Sequence, residues 1–192
     1  FMDPKISMDI QQTLNSDIAM ILDSLIDINK EYDEQLNAIN TTQQWANIAR
    51  NYHTNNNQSL FGIVQGGKHK ELREKSATDM MTIDFDGYAI GGLAIGETPE
   101  ERKEIVNFTV EMLPKDKLRY VMGLGDIEGM LELIELGVDI FDCVWPARLA
   151  RHGKIINKGK FLNLKNSKYK KDTDPLVVGC RCFVCLNFSK AY

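Results

Sequence analysis

The sequence contains no apolar run approaching the roughly 18 residues that a membrane helix needs, so no membrane-spanning class and no membrane partner is expected. The opening stretch, residues 1–9, lacks the basic-then-apolar order of a secretory signal. Cysteine is scarce, four in 192 residues, which is too few for a disulfide framework in a chain of this length. Three of the four crowd into residues 180–185, a pattern that points to a reducing compartment and a metal, so the expected location is cytoplasmic. Histidine is scarcer still; His53 and His69 fall in polar helical stretches and are expected to be solvated. No internal repeat is visible, which excludes a solenoid. What is present suits a globular core: 43% hydrophobic residues, in a length that suggests one domain or a domain with an appendage.

The net charge of −4 hides a division. Residues 1–147 carry −13, whereas residues 148–192 carry +9, with 11 Lys+Arg against 2 Asp+Glu. A uniform −4 would argue against a polyanionic partner. A basic segment of this density can hold a polyphosphate, or it can simply be a solvated tail.

Short apolar runs alternate with helical stretches. Strands are expected over residues 16–23 (SDIAMILD), 60–65 (LFGIVQ), 88–91, 118–122 and 138–144, and helices over 37–52, 68–82, 98–113 and 127–136. Thr98-Pro99-Glu100-Glu101 is a helix start, with threonine to cap, proline in the first turn and acids beside the positive helix end. Strict alternation implies an α/β fold with a parallel sheet, either an open doubly wound sheet or part of a (β/α)8 barrel. A full barrel takes roughly 250 residues, so about five βα units would make an incomplete one. After Trp145 the rhythm breaks. The expected division is a partial barrel over 1–150 and a small basic metal-binding subdomain over 151–192.

Each expected strand ends in something chemically useful: Asp23, Gln65, Gly91-Gly92, Met122-Gly123 and Asp142. In parallel α/β folds the C-terminal strand ends form the ligand face. One aspartate at a strand end is ordinarily a turn or cap. Two acids, an amide and glycine pairs on one edge form a better ligand site, because glycine admits a flat ligand to the backbone and carboxylates and amides read base edges. Asp142 lies within Ile140-Phe141-Asp142-Cys143-Val144, a run otherwise fit for burial. A buried carboxylate is costly unless paired or put to use, in proton transfer or in nucleophilic attack, and the residues leave both open.

Cys180, Cys182 and Cys185 form C-x-C-x2-C, a spacing that wraps one tetrahedral zinc ion lacking a fourth ligand. Neither Cys143 nor His152 is a compelling fourth. A redox pair is disfavoured, because the run lacks a thioredoxin-type strand.

In order, SDIAMILD, LFGIVQGG, GYAIGGLAIGE, RYVMGLG, FDCVWPARLARHG and CRCFVCLNFSKAY resemble the tRNA-guanine transglycosylases (queuine tRNA-ribosyltransferases), bacterial type, over nearly the whole chain. The resemblance implies a (β/α)8 TIM barrel with a zinc subdomain, acting on tRNA and on guanine or a 7-deazaguanine, and a homodimer when complete. Asp142 would attack the ribose C1′ and hold a covalent RNA intermediate while bases exchange. Asp23, Gln65 and the backbone of Gly92, Leu93 and Ala94 would bind the base, with Met122 and Gly123 as a wall. Arg148 and Arg151 would contact the anticodon loop, and the three cysteines would hold Zn2+. Ile95 stands where eukaryotic members carry glycine, which implies 7-aminomethyl-7-deazaguanine rather than queuine as substrate. Three departures accompany the match. The DSGGFQ motif with the general acid/base is absent, the histidine that completes the zinc site lies beyond Tyr192, and Asp23-Ser24-Leu25 replaces Asp-Glu-Cys. The expectation is therefore a C-terminal fragment inactive alone. The rival readings are a non-catalytic RNA-binding subunit of the same family and an unrelated barrel lyase or isomerase using Asp23 and Asp142 as acid and base.

Overall fold

The computed structural model describes residues 2–93, 96–157 and 159–192. They divide into two compact units, Phe1–Cys143 and Val144–Tyr192. The first unit runs α1 (Pro4–Leu14), β1 (Ile18–Met20), α2 (Tyr32–Tyr52), β2 (Ser59–Val64), α3 (Lys70–Ile83), β3 (Gly87–Ile90), α4 (Pro99–Met112), β4 (Leu118–Val121), α5 (Ile127–Glu135) and β5 (Ile140–Phe141). All strand pairs are parallel, and the order is β1-β2-β3-β4-β5. Crossovers of one hand between successive neighbours, the rule for parallel strands, put the connecting helices on one face of the sheet. A doubly wound sheet needs a reversal of strand order, and these five strands have none. The sheet is a parallel half-barrel.

Local chemistry explains most element boundaries. At α4 the Thr98 hydroxyl accepts from the Glu101 amide at 3.2 Å while the Glu101 carboxylate accepts from the Thr98 amide at 2.8 Å, a reciprocal capping box with Pro99 in the first turn. The Asp3 carboxylate accepts from the amides of Lys5 and Ile6, each at 2.9 Å, and Asn15 closes α1 in the left-handed conformation at φ 53. The sequence reading assigned no element there, although both caps are visible in it. It also started α2 five residues late, at 37 rather than Tyr32. Gln35 explains the difference: it is buried, and its side-chain amide donates to the Asp27 carbonyl at 2.8 Å, a tertiary anchor that periodicity does not reveal.

β2 and β3, each with a neighbour on either side, are buried along nearly their whole length, on both faces. Two glycines let aromatic rings lie against the sheet. A Cβ on Gly87 would sit 2.3 Å from the Phe61 ring, and one on Gly62 would sit 2.6 Å from the Phe85 ring. The strands at 138–144 and 16–23 are shorter than expected, reduced to Ile140–Phe141 and Ile18–Met20.

In the second unit α6 (Trp145–Arg151) precedes an antiparallel hairpin of β6 (Lys154–Asn157) and β7 (Lys160–Asn163). A 3-10 turn over Ser167–Tyr169 and α7 (Phe183–Asn187) follow. Trp145 meets Phe161 edge-on with ring centroids 5.6 Å apart. The helix α6 was not anticipated; Pro146 lies in its first turn, and His152 forms its C-terminal cap. No helix among the described residues is long and apolar enough to cross a membrane.

Candidate active site

The C-terminal edge of the half-barrel gathers the residues singled out above. Asp23, Leu25, Gly91, Gly92, Leu93, Tyr120, Met122, Gly123 and Asp142 line one open cleft of ≈ 300 Å³. Gln65 joins them from behind, through a short hydrogen bond from its side-chain amide to the Asp23 carboxylate. Ala94 and Ile95 lie outside the described residues.

Gln65 follows β2 directly and is buried. Its backbone amide donates to the Ser76 hydroxyl at 3.0 Å, and the Gly91 amide reaches the Val64 carbonyl at 2.9 Å, so the ends of β2 and β3 are tied side by side. Asp23 is half-buried, and burial pushes its carboxyl above the ordinary value of 3.8 while the Gln65 amide pulls it back. The pair presents a carboxylate acceptor beside an amide with a second donor to spare. Guanine and its 7-deaza analogues carry N1–H and N2–H donors beside the O6 acceptor, so the pair is complementary to that edge.

Asp142 is exposed, contrary to the burial expected of its run. The error came from treating residues 138–144 as one buried strand, when β5 is two half-buried residues at the sheet edge. What distinguishes Asp142 is hydrogen bonding. Its Oδ1 accepts from the Tyr120 hydroxyl at 2.5 Å and from the Gly123 amide at 2.8 Å. Register accounts for this: Tyr120 pairs with Ile140, Asp142 lies two residues on and so on the same face, and a tyrosine spans the diagonal. Gly123 takes φ 76, a conformation open to glycine, and this aims its N–H at the carboxylate. Burial first, then the Asp142 carboxylate, raise the Tyr120 phenol well above its ordinary value, so it stays a donor at neutral pH. With Oδ1 occupied by two donors, Oδ2 is the oxygen left for chemistry. Tyr120 was not picked out from the sequence. Alternation within Leu118–Val121 marks its face, but only the β4–β5 register shows what it reaches.

In the second unit Arg148 and Arg151 occupy the last turn of α6, both exposed and three residues apart, hence on one side of the helix. The sulfurs of Cys180, Cys182 and Cys185 all lie within 4.8 Å of one another. A tetrahedral zinc with bonds of about 2.3 Å separates its thiolates by about 3.8 Å, so the donor set fits a metal of that kind. The Cys185 amide donates to the Cys182 sulfur at 3.5 Å, and this backbone contact holds the Cys182 thiol below its ordinary value. Among the described residues no histidine or carboxylate joins the three, and neither Cys143 nor His152 is in the group.

This constellation can be compared with known proteins. The family model described as queuine tRNA-ribosyltransferase matches residues 1–192. The chain belongs to that family. Over the whole of its length it is 44% identical to a queuine tRNA-ribosyltransferase of Actinobacillus pleuropneumoniae and 42% identical to those of Acinetobacter baylyi and Bacillus subtilis. It covers 51%, 50% and 51% of these relatives respectively, about half their length.

Proposed function

We propose that the protein carrying this chain is a tRNA-guanine transglycosylase, a pentosyltransferase that replaces guanine at the wobble position of tRNA with a 7-deazaguanine in queuosine biosynthesis. The observation that carries the reading is Asp142, pinned through Oδ1 by Tyr120 and Gly123, in one cleft with the Asp23–Gln65 pair. Family membership supports the same reading.

Oδ2 of Asp142 attacks C1′ of the ribose as the C1′–N9 bond breaks, and the electron pair departs with the guanine, which takes up a proton. The incoming base loses its N9 proton, and that nitrogen attacks C1′ and expels the carboxylate. Two displacements retain configuration, as in other reactions through a carboxylate adduct. Asp23 accepts from N1–H and N2–H of either base, Gln65 donates to O6, and Gly92, Leu93, Met122 and Gly123 line the slot, to which the family resemblance would add Ala94. Because guanine and the 7-deazaguanines share this edge, one pocket serves leaving and entering base alike.

The half-barrel and the cysteine group belong, in this reading, to a partial (β/α)8 barrel over 1–150 and a zinc subdomain over 151–192, in an enzyme that is a cytoplasmic homodimer when complete. Cys180, Cys182 and Cys185 would hold zinc, which supplies a structural crosslink rather than a reaction step. Arg148 and Arg151 would hold the anticodon loop, within the segment of charge +9. Ile95 would leave space for an aminomethyl group but not for the cyclopentene ring of queuine. The complete enzyme with Asp142→Asn should bind tRNA and lose base exchange by at least roughly three orders of magnitude. A protein–RNA adduct persisting on a denaturing gel in that variant would sink the assignment.

A further inference from the structure

A guanidinium lies buried behind the two turns that carry Gln65 and Gly92. Arg73, on α3, is 2% exposed. Its Nε donates to the Gly67 carbonyl at 3.0 Å and its Nη1 to the Val64 carbonyl at 3.3 Å. Its Nη2 is buried with no hydrogen-bond partner among the described residues, and it lies 3.7 Å from where a Cβ on Gly92 would stand. Ser76, three residues on and so on the same helix face, accepts from the Gln65 amide at 3.0 Å. The turn leaves no slack, since a Cβ on Gly66 would come within 2.6 Å of the Arg73 amide nitrogen.

A buried cation is unfavourable unless hydrogen bonds and an opposite charge compensate it. Burial lowers the guanidinium to about 10, and the Glu97 carboxylate opposes that fall, so Arg73 stays charged at neutral pH. A peg needed only to hold β2 against α3 could be apolar. Arg73 instead stands between two turns: it donates to two carbonyls on the Gln65 side, its Nη2 lies beside Gly92, and the Glu97 charge acts on it.

We propose that Arg73 is a positioning residue of the base pocket, its guanidinium joining the turn behind Gln65 to the segment bearing Gly92 and Leu93 and so setting the spacing of the two walls that read the base. The proposal rests on the base-exchange reading above. In the complete enzyme, Arg73→Lys keeps the charge but loses the planar fork that serves several acceptors at once. It should raise KM for the free base about tenfold, while kcat and KM for tRNA stay within about twofold. Amide hydrogen exchange over residues 65–67 and 91–93 should accelerate, with the interiors of β2 and β3 unchanged. Arg73→Met, of similar reach and no charge, should show the same pattern more strongly, and Arg73→Lys carries the test if the Met variant does not fold. A merely structural peg would lower thermal stability and the active fraction while leaving KM for the base unchanged, and that result overturns the proposal. If the wild-type enzyme exchanges no base, the functional reading falls by itself. Hydrogen exchange in Arg73→Lys then still decides: local acceleration supports the proposal, and an unchanged pattern overturns it.

Discussion

The two units are built by different means. In Phe1–Cys143 the sheet and helices enclose a hydrophobic core that includes Met8, Leu60, Ile63, Val64, Ile90 and Val121, and even polar Arg73 and Gln65 are buried with partners. In Val144–Tyr192 the elements α6, α7 and the 3-10 turn contain no buried residue, and Phe183, Leu186 and Val178 stand exposed. A segment of this size with no buried residue among those described needs a staple, and three clustered thiols are the means to one. The first unit can therefore hold a carboxylate to a fixed geometry. The second offers charge at a surface, which suits a backbone-reading contact better than a reaction.

Four measurements break or sharpen that contrast. With zinc on the three cysteines, as proposed, the largest effect should come from stripping it: chelation of the complete enzyme should unfold 144–192, since structural zinc contributes on the order of 10 kcal/mol to such sites, while the sheet of the first unit keeps its circular dichroism and melting transition. Loss of both transitions together would refute the division. Next, Leu60→Ala, a fully buried position in β2, should destabilise the first unit by about 2–5 kcal/mol in denaturant titration without changing metal affinity.

Tyr120→Phe should slow adduct formation in single-turnover assays. Two effects compete, because the lost donor makes the Asp142 carboxylate more basic yet frees it to rotate. A misplacement of about 1 Å can reduce rate about 100-fold, which outweighs the gain in basicity, so a drop of roughly 10- to 100-fold is expected. An unchanged rate would remove Tyr120 from the site. The smallest effect belongs to the surface: Arg148→Ala and Arg151→Ala should each flatten the salt dependence of tRNA binding by about one in log–log slope, equally across tRNA sequences if they touch phosphate.

Acidity gives a separate handle on the first unit. Asp23 has a raised carboxyl, so its contribution to folding stability is full below the ordinary value of 3.8 and is lost as pH rises through the folded value. Base reading requires the ionised form, so affinity for the base should rise over the same interval. Calorimetric titration of the base against pH should show this for the wild type and lose it in Asp23→Asn.

By itself the sequence determined whatever depends on neighbours along the chain. The capping box of Thr98 and Glu101, the alternation of strand and helix, the C-x-C-x2-C spacing and the placing of Asp23, Gln65 and Asp142 just after apolar runs are all local, and each survives into the structure. The caps of α1 are equally local and were simply passed over. Tertiary structure alone decided that Asp142 is exposed and held by Tyr120, that Gln65 donates to Asp23, and that Arg73 lies behind both turns. These pairs are separated by 22 and 42 residues, and Arg73 meets Gly92 from a different helix. They meet only because parallel strands in sequential order bring successive C-terminal ends to one edge, and register then decides which side chains touch. A one-residue slip of β4 against β5 would turn Tyr120 to the opposite face and leave its composition, charge and local pattern unchanged, which is why the hydrogen bond to Asp142 could not be read before the sheet was assembled.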